Sequence, residues 1–379
     1  MIKIVEVFSK RDKKRFLKFQ IDLYKDCPYY VPDLIKEEMN RFNPKNNGAY
    51  AYAESRLWLA EIDGKVVGRI GGILNKAANI KDNVRQLRFT RFDFIDDYRV
   101  SKALFDTVIN WAEELGMNEL IGPLGFSNLD KQGMLTEGFN ELDMYITLYN
   151  YPYYINHMKK LGLIKKWDWK EMKINVPEKI PENVERMAEI VSQRYGYSIK
   201  RFKSMREVKP YLKDAMNIIN LAFINLEGVV PISEKQIKSI SNLIMLVGRP
   251  EYSIMVINKY EEIIGFGFFA PSISRAIQKS KGRMGPLTIL RLLSNLRDHT
   301  HIDLYMVGVK PEDQMKGLFS LILKESISNL IKNGATDTET GPMLESNSKI
   351  HNVWKHFDYR YHRSRRCFHL FLPENRLNS

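Results

Sequence analysis

One stretch of the chain combines the residue types that hold a diphosphate. An apolar strand predicted over residues 304–309 runs into a turn with Gln314, Lys316 and Gly317, and a helix is predicted to begin just after it. The first N–H groups of a helix lack partners within the helix, and the helix dipole is positive there. Gly317 would let a diphosphate approach the backbone, and Lys316 adds charge. The stretch predicts an anion site, although a plain turn would use the same residues.

Metal chemistry has weaker support. The histidines cluster late in the chain, but His351 and His356 stand five residues apart and do not make the i, i+4 pair of a helical metal site. The two cysteines, Cys27 and Cys367, lie near opposite ends, which excludes a disulfide framework and a zinc cluster. We therefore expect no metal.

The elements that must position the anion site occur twice, about 219 residues apart. Each copy predicts a hairpin, a further strand, an amphipathic helix that a glycine ends, a short strand that ends in Gly-Pro, and a closing helix and strand. The glycines are Gly116 and Gly334, and the Gly-Pro pairs begin at Gly122 and Gly341. A linker with two prolines at 176–183 separates the copies. We predict an N-terminal domain over 1–177 and a C-terminal domain over 184–379.

Two basic segments stand out from this pattern. Residues 271–297, present only in the second copy, mix leucines and isoleucines with arginines and lysines. Such a helix could lie on a membrane or bind an acidic protein, but we favour an ordinary helix that covers the sheet and turns its arginines to water. Residues 360–366, RYHRSRR, could contact nucleic acid or the phosphates of a donor, and a solvated face is the simplest interpretation.

Length and charge limit the class of protein. The 379 residues suggest about two domains, and 58 Lys and Arg against 45 Asp and Glu give a net charge of +13. This charge favours an anionic partner without choosing one. No apolar run reaches the length of a membrane span, and the N-terminus becomes charged too early for a signal peptide. We expect a cytoplasmic protein without integral membrane association.

Several motifs together resemble the GNAT superfamily of N-acetyltransferases. Gln314-x-x-Gly317 between strand and helix is similar to that superfamily's R/Q-x-x-G-x-G/A motif, and the segment from Asn347 to Tyr359 resembles its closing helix. The first copy resembles a degenerate form of the same fold. Gly122-Pro123, residues 282–293 and residues 344–347 look closest to the YghO-like N-acyltransferases. The similarity covers residues 16–371.

This resemblance implies an α/β fold of two tandem GNAT-like domains around mixed sheets. It also implies a transferase that moves an acyl group, first of all acetyl, from a CoA thioester directly to an amine. The second domain would carry the donor site, since the matching turn of the first copy has no glycine and presents Asp96 and Asp97. The donor-binding residues would be Val307, Val309, Gln314, Met315, Lys316, Gly317, Leu318, Phe319 and Trp354.

Direct transfer requires a base for the ammonium and donors for the developing oxyanion. The acidic side chains to consider are Asp303, Glu339 and Glu345, and Glu345 is our first choice because it lies where a strand turns into a helix. Asn347 would assist it, although Asn347 could equally cap that helix. Tyr359 could replace the phenol that the superfamily often has where this chain has Trp354.

Two rival hypotheses stay open. Phe319 stands where the motif has a small residue, and with Trp354 it suits a non-catalytic GNAT-like protein that binds an acyl carrier, a lipid surface or nucleic acid. An enzyme with an acyl-carrier protein as its donor would also fit the charge of +13. The acceptor would be a small-molecule or peptide amine, and a homodimer is compatible with the sequence. Without any nucleic-acid-binding motif, we do not expect nucleic acid as a partner.

Overall fold

The computed structural model of this chain describes residues 1–373. The larger elements of the first half are β1 (Ile2–Glu6), α1 (Lys10–Leu23), α2 (Ile35–Arg41), β2 (Ala53–Ile62), β3 (Lys65–Asn75), α3 (Lys76–Asp82), β4 (Gln86–Phe94), α4 (Tyr98–Glu114), β5 (Glu119–Gly122), β6 (Met134–Glu137), α5 (Tyr153–Lys160) and β7 (Ile164–Asn175). They reproduce the hairpin, strand, helix, strand, helix and strand that the sequence predicts.

The second half repeats this order and adds helices. Its elements are α6 (Glu182–Tyr195), β8 (Ser198–Lys200), α7 (Met205–Val208), α8 (Leu212–Phe223), α9 (Glu234–Val247), β9 (Ser253–Ile257), β10 (Ile263–Pro271), α10 (Ser274–Ser280), α11 (Pro286–Asn295), β11 (His301–Val309), α12 (Phe319–Lys332), β12 (Asp337–Thr340), β13 (Met343–Leu344), α13 (Ser348–Trp354) and β14 (Tyr359–Phe371). A 3-10 turn, Pro311–Lys316, joins β11 to α12.

One mixed sheet runs through the molecule in the order β1-β2-β3-β4-β5-β14-β7-β12-β11-β10-β9-β8. Its strands exchange between the halves. The last strand of the chain, β14, lies beside β5, where Phe368 is opposite Gly122. The last strand of the first half, β7, lies beside β12, where Ile174 is opposite Thr338. The α/β fold of two tandem units is confirmed, and each unit is closed by a strand of the other.

The duplication extends to an irregularity that the sequence did not reveal. In β10 and β11 the partners change from Phe268–Met306 to Phe269–Leu304, so Tyr305 is left over as a bulge. The register of β4 against β3 shifts in the same way near Arg91, whose φ is +47°. Bulges bend a strand and redirect a side chain, and they are often found next to functional sites.

Close packing explains two glycines in β10. Helix α12 lies against this strand, and a Cβ atom on Gly265 would come within 2.5 Å of Leu318 Cδ2. A Cβ atom on Gly267 would lie 3.1 Å from Ile322 Cγ2. Leu318 and Ile322 are buried, and burying such a side chain contributes about 1.5–3 kcal/mol. The glycines therefore allow the helix that follows the predicted anion site to approach the sheet closely.

The basic segment 360–366 is not the solvated face that we expected. It lies in β14, and Arg363 and Arg365 are buried. Both guanidinium groups donate to Glu171 of β7, with 2.5 Å between Arg363 Nε and Glu171 Oε2. The expectation is wrong because β14 is an interior strand of the combined sheet and residues 362–365 are buried on both of its faces.

The expectation for segment 271–297 holds for Arg275, Arg283 and Arg297, which are exposed, but not for its apolar side chains. Helix α11 buries Thr288 and Leu292, whereas Leu287, Leu290 and Leu293 are exposed. Instead of turning only arginines to water, the helix presents apolar side chains there.

No helix within residues 1–373 is long and apolar enough to cross a membrane.

Candidate functional site

The candidate site begins where two parallel strands separate. β11 and β12 pair over only four residues, from His301 opposite Asp337 to Leu304 opposite Thr340. The N–H of Gly341 then donates to the carbonyl of Leu304 at 3.2 Å. Beyond this point a cavity of about 1070 Å³ opens, and the rest of β11, residues 305–309, lines it. The divergence of the two strands thus gives the cavity its position in the sheet.

One end of the cavity reaches the predicted anion site. Val309, Gln314 and Phe319 line it there, and Gln314 Nε2 donates to the carbonyl of Val309 at 3.3 Å. Gly317 has φ +76°, a conformation that L side chains rarely adopt. The N–H groups of Ser320 and Leu321 bond back to the carbonyls at positions 317 and 318. The N–H groups of the residues just before Ser320 lie at the N-terminus of α12, where a helix has no internal partner for them and a ligand or water can accept their hydrogen bonds.

The ammonium group of Lys316 forms an ion pair with a neighbouring residue and does not extend freely into this end of the cavity. Its Nζ lies 2.7 Å from Asp313 Oδ1, which also accepts a 2.6 Å hydrogen bond from Tyr197. The hydrogen bond to Asp313 raises the pKa of Lys316 above its usual value. The lysine is therefore a cation held beside the turn, with part of its charge balanced by Asp313.

The matching turn of the first half is already occupied by its own side chains. Asp97 caps α4 by accepting a 2.9 Å hydrogen bond from the N–H of Arg99. Asp96 Oδ1 lies within hydrogen-bonding distance, 2.9 Å, of His157 Nε2. Two carboxylates at a helix N-terminus repel a phosphate and take the hydrogen bonds it would need. This geometry agrees with assigning the donor site to the second half.

The other end of the cavity is an apolar chamber. Side chains from α8, α9, β10 and the residues after it form its wall, namely Ile219, Ala222, Phe223, Ile240, Leu243, Ile244, Val247, Phe268 and Ile273. Trp167 and Trp169 of β7 line the cavity where the halves meet, and the Trp167 Nε1 group is buried without a hydrogen-bond partner. A mostly aliphatic wall favours a hydrocarbon chain as the ligand. This chamber was not foreseeable from the sequence, because α8, α9 and β10, which are separate along the chain, build its wall together.

An acidic side chain lies next to the point of strand separation. Asp303 is buried, and its Oδ2 accepts a 3.1 Å hydrogen bond from the hydroxyl of Tyr305, the bulge residue that lines the cavity. Burial raises the pKa of Asp303 to about 6, against the opposing effect of hydrogen bonds from Tyr305 and Ser272. Burial and the neighbouring carboxylate also raise the pKa of Tyr305 well above its usual value. Such a carboxyl can take up a proton near neutral pH.

The predicted catalytic residues lie apart from that point. Glu345 is exposed and forms a 2.8 Å ion pair with Lys165, and it does not line the cavity. Asn347 does line it, but its side chain caps α13 by accepting from the N–H of Ile350 at 3.4 Å. Tyr359 is half-buried at the start of β14 and packs in the apolar cluster around Trp354.

The predicted cofactor residues are brought together in part. Val307, Val309, Gln314, Phe319 and Trp354 line one cavity. Phe319 and Trp354 share an apolar cluster with α12 and β7, and the Nε1 group of Trp354 is buried without a partner. The turn residues at 315–318 flank this end without forming its wall, so their contribution would come from the backbone.

A buried ionic cluster lies between β7, β12 and β14, and the sequence did not reveal it. Glu171, Glu339 and His362 bring one ligand atom each within 4.8 Å of one another, the spacing of a metal site. However, Arg363 and Arg365 both donate to Glu171, and Arg363 also contacts Glu339. Two guanidinium groups on these carboxylates disfavour a further cation. The cluster is better described as an ion network that joins the exchanged strands.

No family model matches the chain. Two curated proteins are similar over nearly their whole lengths. Protein YghO of Escherichia coli is 24% identical over 356 residues, which is 91% of this chain and 89% of that protein. Bacterial ceramide synthase of Caulobacter vibrioides is 22% identical over 375 residues, which is 97% of both chains. The expected similarity to YghO is confirmed.

Solved structures identify the fold. A tandem GNAT protein from the clavulanic acid biosynthesis pathway superposes with a TM-score of 0.56 at 11% identity, over 98% of both chains. A GCN5-related glucosamine N-acetyltransferase region of a fungal β-N-acetylglucosaminidase gives a TM-score of 0.56 at 13% identity, over 98% of this chain and 38% of the other. The protein therefore has the tandem GNAT fold that its motifs predict.

Proposed function

We propose that the protein is an N-acyltransferase that moves an acyl group from a CoA thioester directly to an amine. The observation that carries this proposal is the course of the cavity. It runs from the N-terminus of α12, past the separation of β11 and β12, to an apolar chamber. A phosphate site, a passage and a hydrocarbon site in this order suit a long, amphiphilic thioester.

The donor would be held mainly by backbone groups. Its diphosphate would accept from the N–H groups at 315–319, where the helix dipole is favourable. Val307 and Val309 would flank the pantetheine arm along the free edge of β11. Lys316 would add charge if its ammonium turned from Asp313 to the phosphate. Trp354 would pack its indole ring against the donor.

The acyl group or the amine should carry a long hydrocarbon chain. The motifs alone suggest acetyl, but a two-carbon group would leave most of the apolar chamber unused. A chain along Ile219, Phe223 and Ile244 would remove apolar surface from water, at about 0.8 kcal/mol for each buried CH₂ group. The name of one relative, bacterial ceramide synthase, points in the same direction, since a ceramide is a long-chain amine that carries an N-acyl group.

Asp303 and Tyr305 are better placed than Glu345 to accept the amine proton. Tyr305 faces the cavity, and its hydroxyl donates to Asp303. The phenol oxygen can therefore accept a proton from the ammonium while it passes its own proton to the carboxylate of Asp303. The freed amine then attacks the thioester carbon and the new C–N bond forms. The C–S bond breaks, and the second N–H proton passes to the leaving CoA thiolate, which gives the amide and free CoA thiol. Glu345, Asn347 and Tyr359 remain predictions, with roles nearer the rim of the site.

The test is amine-dependent release of CoA. Purified protein would be incubated with decanoyl-CoA and sphinganine, a long-chain amine, with free thiol followed by a colorimetric reagent and the N-acyl product by mass spectrometry. We expect thiol and amide to form in equal amounts, and slower reaction with acetyl-CoA. Decanoyl-CoA that binds but never acylates any of a panel of amines would reject the enzyme hypothesis. Acyl transfer from an acyl-carrier protein but not from decanoyl-CoA would show that the donor is the carrier protein rather than CoA.

A further inference from the structure

Helix α11 presents a row of large apolar side chains to solvent. Leu287, Ile289, Leu290 and Leu293, together with Met284 just before the helix, are between 40% and 64% exposed. We call this row the α11 surface. The residues that hold the helix to the protein, Thr288 and Leu292, lie on the opposite side. Exposed apolar side chains in such a contiguous row usually mark a binding surface.

The surroundings of the α11 surface are strongly cationic. Segment 271–297 contains six basic residues and no acidic one. Arg283 and Arg297 are exposed at the two ends of α11, and Arg291 is half-buried on its edge, where it donates to the carbonyl of Lys279 at 3.2 Å. Apolar side chains flanked by arginines and lysines on one helix are the pattern of a helix that lies in a membrane interface.

We propose that the α11 surface docks on an anionic lipid bilayer, with the leucines in the acyl-chain boundary and the arginines at the headgroups. A second copy of the chain fits poorly, because pairing this surface with itself would bring two such cationic segments together with no acidic residue from either. An acidic protein would match the arginines, but it would also need a hydrophobic groove for a protruding row of leucines. A bilayer satisfies both requirements at once.

The α11 surface also adjoins the apolar chamber. On its inner side, Leu292 and Leu296 pack in one cluster with Leu243, Val247 and Ile273. Those last three residues line the cavity. The docking surface and the chamber are therefore on two sides of one apolar cluster. A protein seated on this face would hold its chamber next to the membrane, where long-chain molecules are concentrated.

Vesicle co-sedimentation tests the proposal without any need for catalysis. Phosphatidylcholine vesicles with and without phosphatidylglycerol would be compared for the unaltered protein, for the double variant Leu290→Gln/Leu293→Gln and for Arg283→Glu/Arg297→Glu. We expect binding to the anionic vesicles, with affinity reduced about tenfold or more in each double variant. Ile80→Gln, at a still more exposed aliphatic position on α3, and Arg11→Glu, at an exposed position on α1, are the controls and should bind normally.

Three results would overturn the membrane assignment. The first is no sedimentation of the unaltered protein with anionic vesicles. The second is binding that the leucine variant retains, since net charge alone would then explain it. The third is a dimer, detected by analytical ultracentrifugation, that Leu290→Gln/Leu293→Gln converts to monomers. CoA binding would be measured on the same samples. Because the proposed donor site lies on other elements, CoA binding together with a failed vesicle test would reject the docking surface and leave the proposed reaction standing.

Discussion

Asp303 owes its part in the proposed reaction to its surroundings in the folded protein. On the sequence alone it is one of three acidic side chains near the ends of the predicted strands, with Glu339 and Glu345, and the turn from strand to helix favours Glu345. Burial and the bulge that turns Tyr305 to the cavity distinguish Asp303, and both depend on packing that periodicity does not encode. The capping role of Asn347, by contrast, was foreseeable from its place before a helix.

Replacing Asp303 by asparagine should abolish proton transfer and leave donor binding intact. We expect kcat to fall by about 10²–10⁴-fold, the range typical of a lost general base. The activity of the unaltered enzyme should fall as the pH drops through about 6, where Asp303 takes up its proton, and the variant should lack that dependence. A pH profile of amine-dependent CoA release measures both. Full activity of Asp303→Asn would exclude the residue as the base.

The same substitution has an expected sign for stability. The pKa of Asp303 is higher in the folded protein, about 6, than its ordinary 3.8, so the folded state is penalised once the carboxyl ionises. Asp303→Asn should therefore gain up to about 3 kcal/mol relative to the unaltered protein above pH 6, and nothing near pH 4. Urea unfolding at the two pH values checks this result.

At the scale of elements, the sequence predicts the helices and strands better than it predicts which strands are neighbours in the sheet. Hairpins, helices and their glycine ends were foreseeable because each depends on local patterns, as α4 and α12 illustrate. The exchange of β7 and β14 was not foreseeable, because the apolar pattern of either strand would allow it to close either half. What distinguishes them is the contact of each strand with the other half, namely His369 of β14 with Glu119 of β5 and Lys173 of β7 with Asp337 of β12.

Glu171→Gln should destabilise the exchanged strands. Burial alone would raise the pKa of Glu171, but Arg365 and Arg363 outweigh it and lower the pKa to about 2. The stabilisation is present above the ordinary value of 4.5 and is lost as the pH falls towards about 2. At neutral pH the variant removes one carboxylate from two buried guanidinium groups and leaves Glu339 beside Arg363 and Asp143 beside Arg365, which costs about 3 kcal/mol in unfolding free energy.

A matched control for this variant is Glu345→Gln, which removes an exposed ion pair with Lys165 and should change stability by about 1 kcal/mol or less. Denaturant midpoints of the two variants should therefore differ clearly at pH 7. Equal midpoints would mean that the buried network does not hold the strands.

At the scale of the whole molecule, the corresponding turns of the two halves differ in a way that suits the proposed donor site in the second half. Gly317 opens the turn of the second half, whereas Asp97 caps the turn of the first. We propose that residues 1–177 and 184–379 are two units whose closing strands are exchanged. The net charge of +13 fits both an anionic donor and the cationic surroundings of α11. The wall of the chamber could not be predicted, because several separate elements build it.

The most direct test of this account is a calorimetric titration with CoA and decanoyl-CoA. Gly317→Glu would place a carboxylate at the turn, whereas Gly317→Ala introduces the strain of a side chain at φ +76° and a Cβ atom 3.2 Å from Val191 Cγ2, without a charge. Gly334→Ala, at φ +72° with open space around it, is the control for strain far from the site. We predict micromolar binding to the unaltered protein and to Gly334→Ala, weaker binding to Gly317→Ala, none to Gly317→Glu, and tighter binding of decanoyl-CoA than of CoA. No heat with either ligand at millimolar concentration, or equal binding to Gly317→Glu, would contradict a donor site at α12.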